Sequence, residues 1–191
     1  MSTFTLVLAS KSPRRREILE QAGIPFVVRT AEVEEVRRPA EPPEAYVLRL
    51  AQAKAQAVER LAGERVLGAD TVVVVDGEVL EKPSGREDAA RMIRLLSGRT
   101  HTVITGVWIE AETGGRGFAE RTHVRFQDLS EGQIKTYTLS QEPYDKAGGY
   151  AIQGLASKFI DRVEGCYFNV VGLPVARVYA ALTSEGPDGG H

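Results

Sequence analysis

The chain has a single cysteine, Cys166, so it cannot close an internal disulfide, and a reducing cytoplasm is the expected compartment. No apolar run is long enough to cross a bilayer. The first residues lack the charged n-region, long apolar stretch and small-residue cleavage site of an export signal. The three histidines are scattered, and without a second cysteine they offer no zinc pattern. Neither a Walker A loop nor the Rossmann glycine fingerprint occurs. Net charge is only −2 and no face interleaves aromatic with basic residues, which argues against direct nucleic-acid binding. No internal repeat and no Pro/Gly-rich linker divides the 191 residues. The remainder is ordinary soluble-protein composition, 42% hydrophobic and 26% charged. It suits one α/β domain over residues 1–184, with 185–191 expected to be a disordered tail.

Strand and helix signals alternate. Phe4 to Ala9 reads as a buried strand, and Ser12-Pro13 as the start of a helix to about Ala22, with Ser12 as N-cap. Phe26 to Thr30 reads as a strand. Glu44 to about Leu61 reads as a helix, with Val47, Leu50, Ala51, Lys54, Val58 and Leu61 at helical spacing. Gly68-Ala69-Asp70-Thr71 leads into the β-branched strand Val72–Val75, and Asp76-Gly77 turns back through Glu78 to Leu80. Arg86–Leu96 is an amphipathic helix. Thr100–Ala111 and Phe118–Gln127 are strands around a Gly114-Gly115 turn, and Ser130 with Gln133 forms a capping box. Val175–Leu182 is a terminal helix. The fold class is α/β, an elongated mixed sheet flanked by helices.

Five places could carry chemistry. Arg14, Arg15 and Arg16 crowd the first turn of a helix, the end where acidic residues are preferred, and an anion between them would resolve the conflict. The bland alternative is a solvated basic helix start. Asp70 stands beside Gly68, whose bare backbone lets other groups approach; a lone Asp there is ordinarily a turn or cap. Glu34 and Glu35 read alone as a solvated loop, Lys54 as a snorkelling stem and Lys82 as surface. Joined in one pocket, Arg14, Arg15, Lys54 and Lys82 would hold a triphosphate. Carboxylates Asp70 and Glu35 would tolerate those phosphates only across a divalent cation, Mg²⁺ or Mn²⁺. His101 reads as a structural residue at a strand entry. Cys166 reads the same way, with nucleophilic chemistry the weaker alternative.

The runs Leu8-Ala9-Ser10, Ser12-Pro13-Arg14-Arg15, Gly68-Ala69-Asp70-Thr71, Glu81-Lys82-Pro83, Asp145-Lys146-Ala147-Gly148, Ile152-Gln153-Gly154 and Val171-Gly172-Leu173-Pro174 occur in that order along nearly the whole chain. The set resembles the Maf family of nucleoside triphosphate pyrophosphatases. The resemblance implies a fold like that of the inosine triphosphate pyrophosphatases, frequent homodimers, and metal-dependent cleavage between the α and β phosphates with Mg²⁺, Mn²⁺ or Co²⁺. Its functional positions fall on Ser10, Arg14, Arg15, Lys54, Asp70, Lys82 and Gln153. The acidic loop position falls on Glu35, with Glu32 and Glu34 as neighbours in register. Asp70 corresponds to the family's proton acceptor; Asp70 and Glu35 would hold the metal.

Thr71 and Gln153 resemble the branch acting on dTTP and UTP. A Gln amide pairs with the N3–H and a carbonyl of thymine or uracil, and flipped it would pair with cytosine. Modified pyrimidine nucleotides fit the same logic, and nucleotide-pool house-cleaning is the expected task. Two alternatives stay open: a 7-methyl-GTP or broad NTP pyrophosphatase, and a non-enzymatic regulator of septum formation.

Overall fold

The computed structural model describes residues 4–184; the tail expected at 185–191 lies outside the described residues. In chain order the regular elements are β1 (Thr5–Leu8), α1 (Pro13–Gln21), β2 (Val27–Val28), α2 (Pro43–Gln56), β3 (Glu64–Val75), β4 (Glu78–Leu80), α3 (Arg86–Leu96), β5 (Thr100–Ala111), β6 (Gly114–Phe126), α4 (Glu131–Tyr137), β7 (Ile160–Glu164), α5 (Tyr167–Val171) and α6 (Val175–Thr183). Short 3₁₀ turns occupy much of residues 142–159 between α4 and β7. The strands form one seven-stranded mixed sheet, ordered β2-β1-β3-β5-β6-β7, with β4 also on β3. β1 runs parallel to β2 and β3; the remaining pairs are antiparallel.

β3 organises the molecule. Its first residues pair with β1, Thr5 opposite Glu64 through Leu8 opposite Leu67, and its last with β4, Val73 opposite Leu80 through Val75 opposite Glu78. Among the described residues no strand covers Gly68–Val72 on that side, while the other side is paired throughout with β5. Alternation sends Gly68, Asp70 and Val72 to one face and Ala69, Thr71 and Val73 to the other.

α2 lies on the Asp70 face, packing Tyr46, Val47 and Leu50 against Val72 and Ile104. It sits against bare backbone: a Cβ on Gly68 would fall 2.1 Å from Ala51 O, and one on Gly106 2.4 Å from the Val47 carbonyl carbon. The opposite face carries two apolar clusters, one formed with α1, α5 and α6 around Leu8, Leu67 and Val107, the other with α3 and α4 around Val73, Phe126 and Ile134.

Several boundaries differ from expectation. β3 is a single strand of 12 residues, so Asp70 stands mid-strand rather than at a strand start. α2 ends at Gln56 because the chain must turn back into β3. Gly63, at φ 73°, sits just ahead of that strand, and Glu64 accepts the Leu61 N–H at 2.8 Å. Ser12 occupies the N-cap backbone position with Pro13 behind it but makes no side-chain cap; instead its own N–H donates to Ser10 Oγ. The β5–β6 turn falls on Glu112-Thr113, and Gly115 and Gly117 lie within β6, where a Cβ would strike the Trp108 ring at 2.5 Å. The Asp76-Gly77 turn has both residues at positive φ, 48° and 80°, matching the twist of a two-residue hairpin. The Ser130–Gln133 capping box is complete.

Candidate active site

A cleft of about 550 Å³ opens beside the uncovered stretch of β3. Ser10, Arg14, Arg15, Glu35, Lys54, Asp70, Thr71, Lys82 and Gln153 all line it. They arrive from the β1–α1 turn, α1, the 29–42 loop, α2, β3, the segment after β4, and the turn near Gly154.

On the Asp70 face the chemistry is that of concentrated opposite charge. Lys54 reaches off α2, held close by the Gly68 and Gly106 contacts, and its ammonium lies 2.6 Å from both Asp70 Oδ1 and Glu35 Oε1. Asp70 is buried, and desolvation, the dominant influence, lifts its carboxyl above the usual range despite the Lys54 and Arg15 charges. Glu35 feels desolvation as its largest influence too. There the hydrogen bond and charge of Lys54, with Lys82 and Arg15, outweigh it and hold the carboxyl below its usual range. Of the acidic loop residues, Glu35 turns inward, whereas Glu32 pairs with exposed Lys11.

The Thr71 face is dense with hydrogen bonds, with Asn169 Oδ1 its one buried polar atom lacking a partner among the described residues. Arg15 is only 8% exposed. Its Nε donates to Gly172 O at 2.9 Å, Nη1 to Ser10 Oγ at 3.1 Å and Ala69 O at 2.9 Å, and Nη2 to Thr71 Oγ1 at 3.1 Å. The guanidinium therefore occupies the place of the missing strand, taking a mid-β3 carbonyl. Thr105 spends its one hydroxyl proton on Asn169 O at 3.2 Å, so Thr71 donates in the 2.9 Å contact between the two threonines. Asn169 in turn donates to Val103 O and Thr122 Oγ1. Ser10 Oγ accepts from Arg15 and from Ser12 N–H, which leaves its own O–H to donate into the cleft.

The remaining cationic groups are less committed. Arg14 contacts Asp145 across the cleft at 3.2 Å. Exposed Lys82 and the amide of Gln153 have no hydrogen-bond partner among the described residues. Arg16 does not line the cleft. His101 is buried, its Nε2 2.7 Å from Tyr150 Oη, and desolvation drives its pKa down to about 3. It is packed edge-on to Phe126 and Tyr150, as a structural residue would be.

Sequence reading missed Tyr46 and Glu81. The Tyr46 hydroxyl donates to Glu81 Oε1 at 2.6 Å, and both line the cleft. The available signal was the stripe Tyr46, Leu50, Lys54, spaced four apart on one side of α2. It also gave no role to Asp145 and Lys146, whose ion pair forms the wall opposite Arg14.

The two carboxylates fit a divalent cation. They already converge on one positive atom, and two protein carboxylates completed by substrate phosphates are the usual donor set for Mg²⁺. Among the described residues no group of three or more His, Cys, Asp or Glu could cage a metal without such help.

The sequence model of Maf-like proteins matches residues 5–185. The chain belongs to the Maf family. Curated relatives cover it nearly end to end. A protein of Anaeromyxobacter sp. (strain Fw109-5), named dTTP/UTP pyrophosphatase, is 51% identical over 189 residues, spanning 96% of this chain and 90% of its own. One of Symbiobacterium thermophilum with the same name is 52% identical, over 95% of this chain and 94% of its own. Among solved structures, the Staphylococcus aureus Ham1 protein aligns with 81% of this Maf chain and 90% of its own at TM-score 0.48 and 12% identity, too remote a likeness to bear on the site.

Proposed function

We propose that this Maf protein hydrolyses dTTP and UTP to the nucleoside monophosphate and pyrophosphate. The observation that carries the proposal is a carboxylate pair bridged by Lys54 inside a cleft that Arg14, Arg15 and Lys82 also line. Names of relatives about half identical over nearly the full length support the same substrates.

In the reaction, water attacks the α-phosphorus in line with the α–β bridging oxygen. That P–O bond breaks, and pyrophosphate leaves with the bond's electrons. Asp70 takes the water's proton, its carboxylate made more basic by burial. Arg14, Lys82 and the free O–H of Ser10 bind phosphate oxygens and offset the charge gathering on the leaving group. Arg15 holds Ser10 and Thr71 in place and keeps one guanidinium N–H for the ligand. Gln153, with its amide free, pairs with the pyrimidine N3–H and a carbonyl. Glu35 and Asp70 would hold Mg²⁺, Mn²⁺ or Co²⁺, whose chemistry when bound is to neutralise phosphate charge and acidify water.

Under this proposal residues 1–184 act as one catalytic domain, supported by the continuous sheet from β2 to β7. The protein works as a cytoplasmic homodimer without nucleic-acid contacts. No described helix is long and apolar enough to cross a membrane. The test is pyrophosphate release over a panel of nucleoside triphosphates with Mg²⁺, Mn²⁺ or Co²⁺. A clear preference for dTTP and UTP is expected; a purine or 7-methyl-GTP preference overturns the substrate, and no hydrolysis at all overturns the activity.

A further inference from the structure

We infer that Lys54 keeps the divalent-cation position closed until a polyphosphate enters the cleft, so that metal and nucleotide bind as a coupled pair. The inference deepens the proposed activity and rests on it. Three observations carry it. The ammonium sits 2.6 Å from an oxygen of each carboxylate that would hold the metal, so a divalent ion between them takes the ammonium's place. The lysine is not a loose surface chain: its side chain is 14% exposed, and its helix rests directly on the backbone at Gly68 and Gly106. Third, the carboxylate it holds most deeply, Asp70, lies with a side chain only 12% exposed, where an ammonium close by is worth far more than in water.

A free metal ion arriving alone must therefore expel a like charge into a cleft that already holds Arg14, Arg15 and Lys82. The other carboxylates of the lining are engaged, Glu81 by the Tyr46 hydroxyl, Asp145 by Arg14 and Lys146, and Glu32 by Lys11, so a displaced ammonium would have to share one of them. A triphosphate changes that balance, because its oxygens give the ammonium a new anionic partner a short swing away while bringing further ligands for the metal. Each ligand thus lowers the cost of the other, and the coupling is reciprocal. The intrinsic metal affinity of Glu35 and Asp70 is discounted in the nucleotide-free protein by the small fraction of molecules with Lys54 withdrawn.

The probe is Mn²⁺ alone, titrated into nucleotide-free protein and followed by loss of the free-ion electron paramagnetic resonance signal. Lys54→Met is expected to bind roughly tenfold or more tightly than the parent chain. Adding Glu35→Gln to Lys54→Met is expected to abolish the gain. Equal affinity in the parent and Lys54→Met, weak or tight, overturns the inference. If Lys54→Met does not fold, the parent chain serves. The slowly exchanging ¹⁵N signal of the Lys54 ammonium should be unmoved by millimolar Mg²⁺ and displaced when the α,β-imido analogue of dTTP is added with it; displacement by Mg²⁺ alone overturns the inference. Metal binding without nucleotide is read independently of turnover. A Mn²⁺ gain in Lys54→Met from a protein that releases no pyrophosphate from any nucleotide would leave the gate standing and remove the proposed activity.

Discussion

Asp70 and Thr71 are consecutive residues of β3, yet they face different solvents of protein. Around Asp70 the charges outnumber the fixed bonds: one ammonium is shared by two carboxylates, and each group could trade its partner for a phosphate or a metal. Around Thr71 the bonds are assigned, running from Arg15 through Thr71 and Thr105 to Asn169, with no proton left over on either hydroxyl. One face can change partners during a reaction; the other fixes the frame in which that happens. The same family motif supplies both, because Arg14 opens onto the cleft while Arg15, next in sequence, lines it with most of its donors already committed to protein acceptors.

The largest expected effect is on the exchangeable face. Asp70→Asn should lower turnover on the order of 10²-fold or more, as loss of a group acting in the transition state does, while circular dichroism stays that of the parent. In the parent, the acid limb of kcat/KM should lie above the usual aspartate range, because burial lifts Asp70 and the group must be ionised to take a proton. A limb at or below the ordinary value would break the assignment of Asp70 as base.

Next comes the contrast between adjacent arginines. Arg15→Ala strips charged donors from four protein acceptors and should cost about 3 kcal/mol in denaturant unfolding, with activity falling alongside. Arg14→Ala should leave the unfolding midpoint nearly unchanged and raise KM. If both variants lose stability equally, the distinction between a frame and an exchangeable face fails.

An effect that is absent at neutral pH and grows only on acidification belongs to the core near β7. His101 is held neutral, its pKa near 3, whereas the unfolded chain titrates in the usual imidazole range. The unfolded state therefore binds a proton first on acidification. Stability is at full value above that usual range and should decline as pH falls from there toward 3. Thermal midpoints across that window should show the decline, and His101→Gln should flatten it. Smallest of all is Arg16→Ala, outside the cleft, expected to move stability by less than about 0.5 kcal/mol and activity not at all.

Much of this was legible in residue order. The Asp76-Gly77 turn, the Arg86–Leu96 helix, the Thr100–Ala111 strand and the Ser130 capping box each follow from local chemistry. They stand where periodicity and turn residues put them. The inner residues of the cleft were legible only as a set, since Lys54, Lys82 and Asp70 each read singly as surface or turn. What stayed hidden was long-range. β7 and α5 are short, and their definition comes from pairing with β6 and from Asn169 inserting under β5, not from any pattern of their own. Whether an arginine faces a ligand or a carbonyl likewise depends on an uncovered stretch of a distant strand, which no local spacing encodes. Gly68 was read correctly as a site of close approach, but what approaches, the backbone of α2, is separated from it by a loop and a strand entry.

Arg15 also has a temporal consequence. Its bonds join it to partners 5, 54, 56 and 157 positions away along the chain. Contacts of such sequence separation carry a large loop-closure entropy and form only when the strands and α5 are already in place. The clamp therefore closes fully only once β3 and the Gly172 segment stand beside α1. A chain with its sheet assembled but Arg15 still unmoored would have the molecule's shape without its reactive geometry, and the last step of becoming a folded protein would be the step of becoming an enzyme.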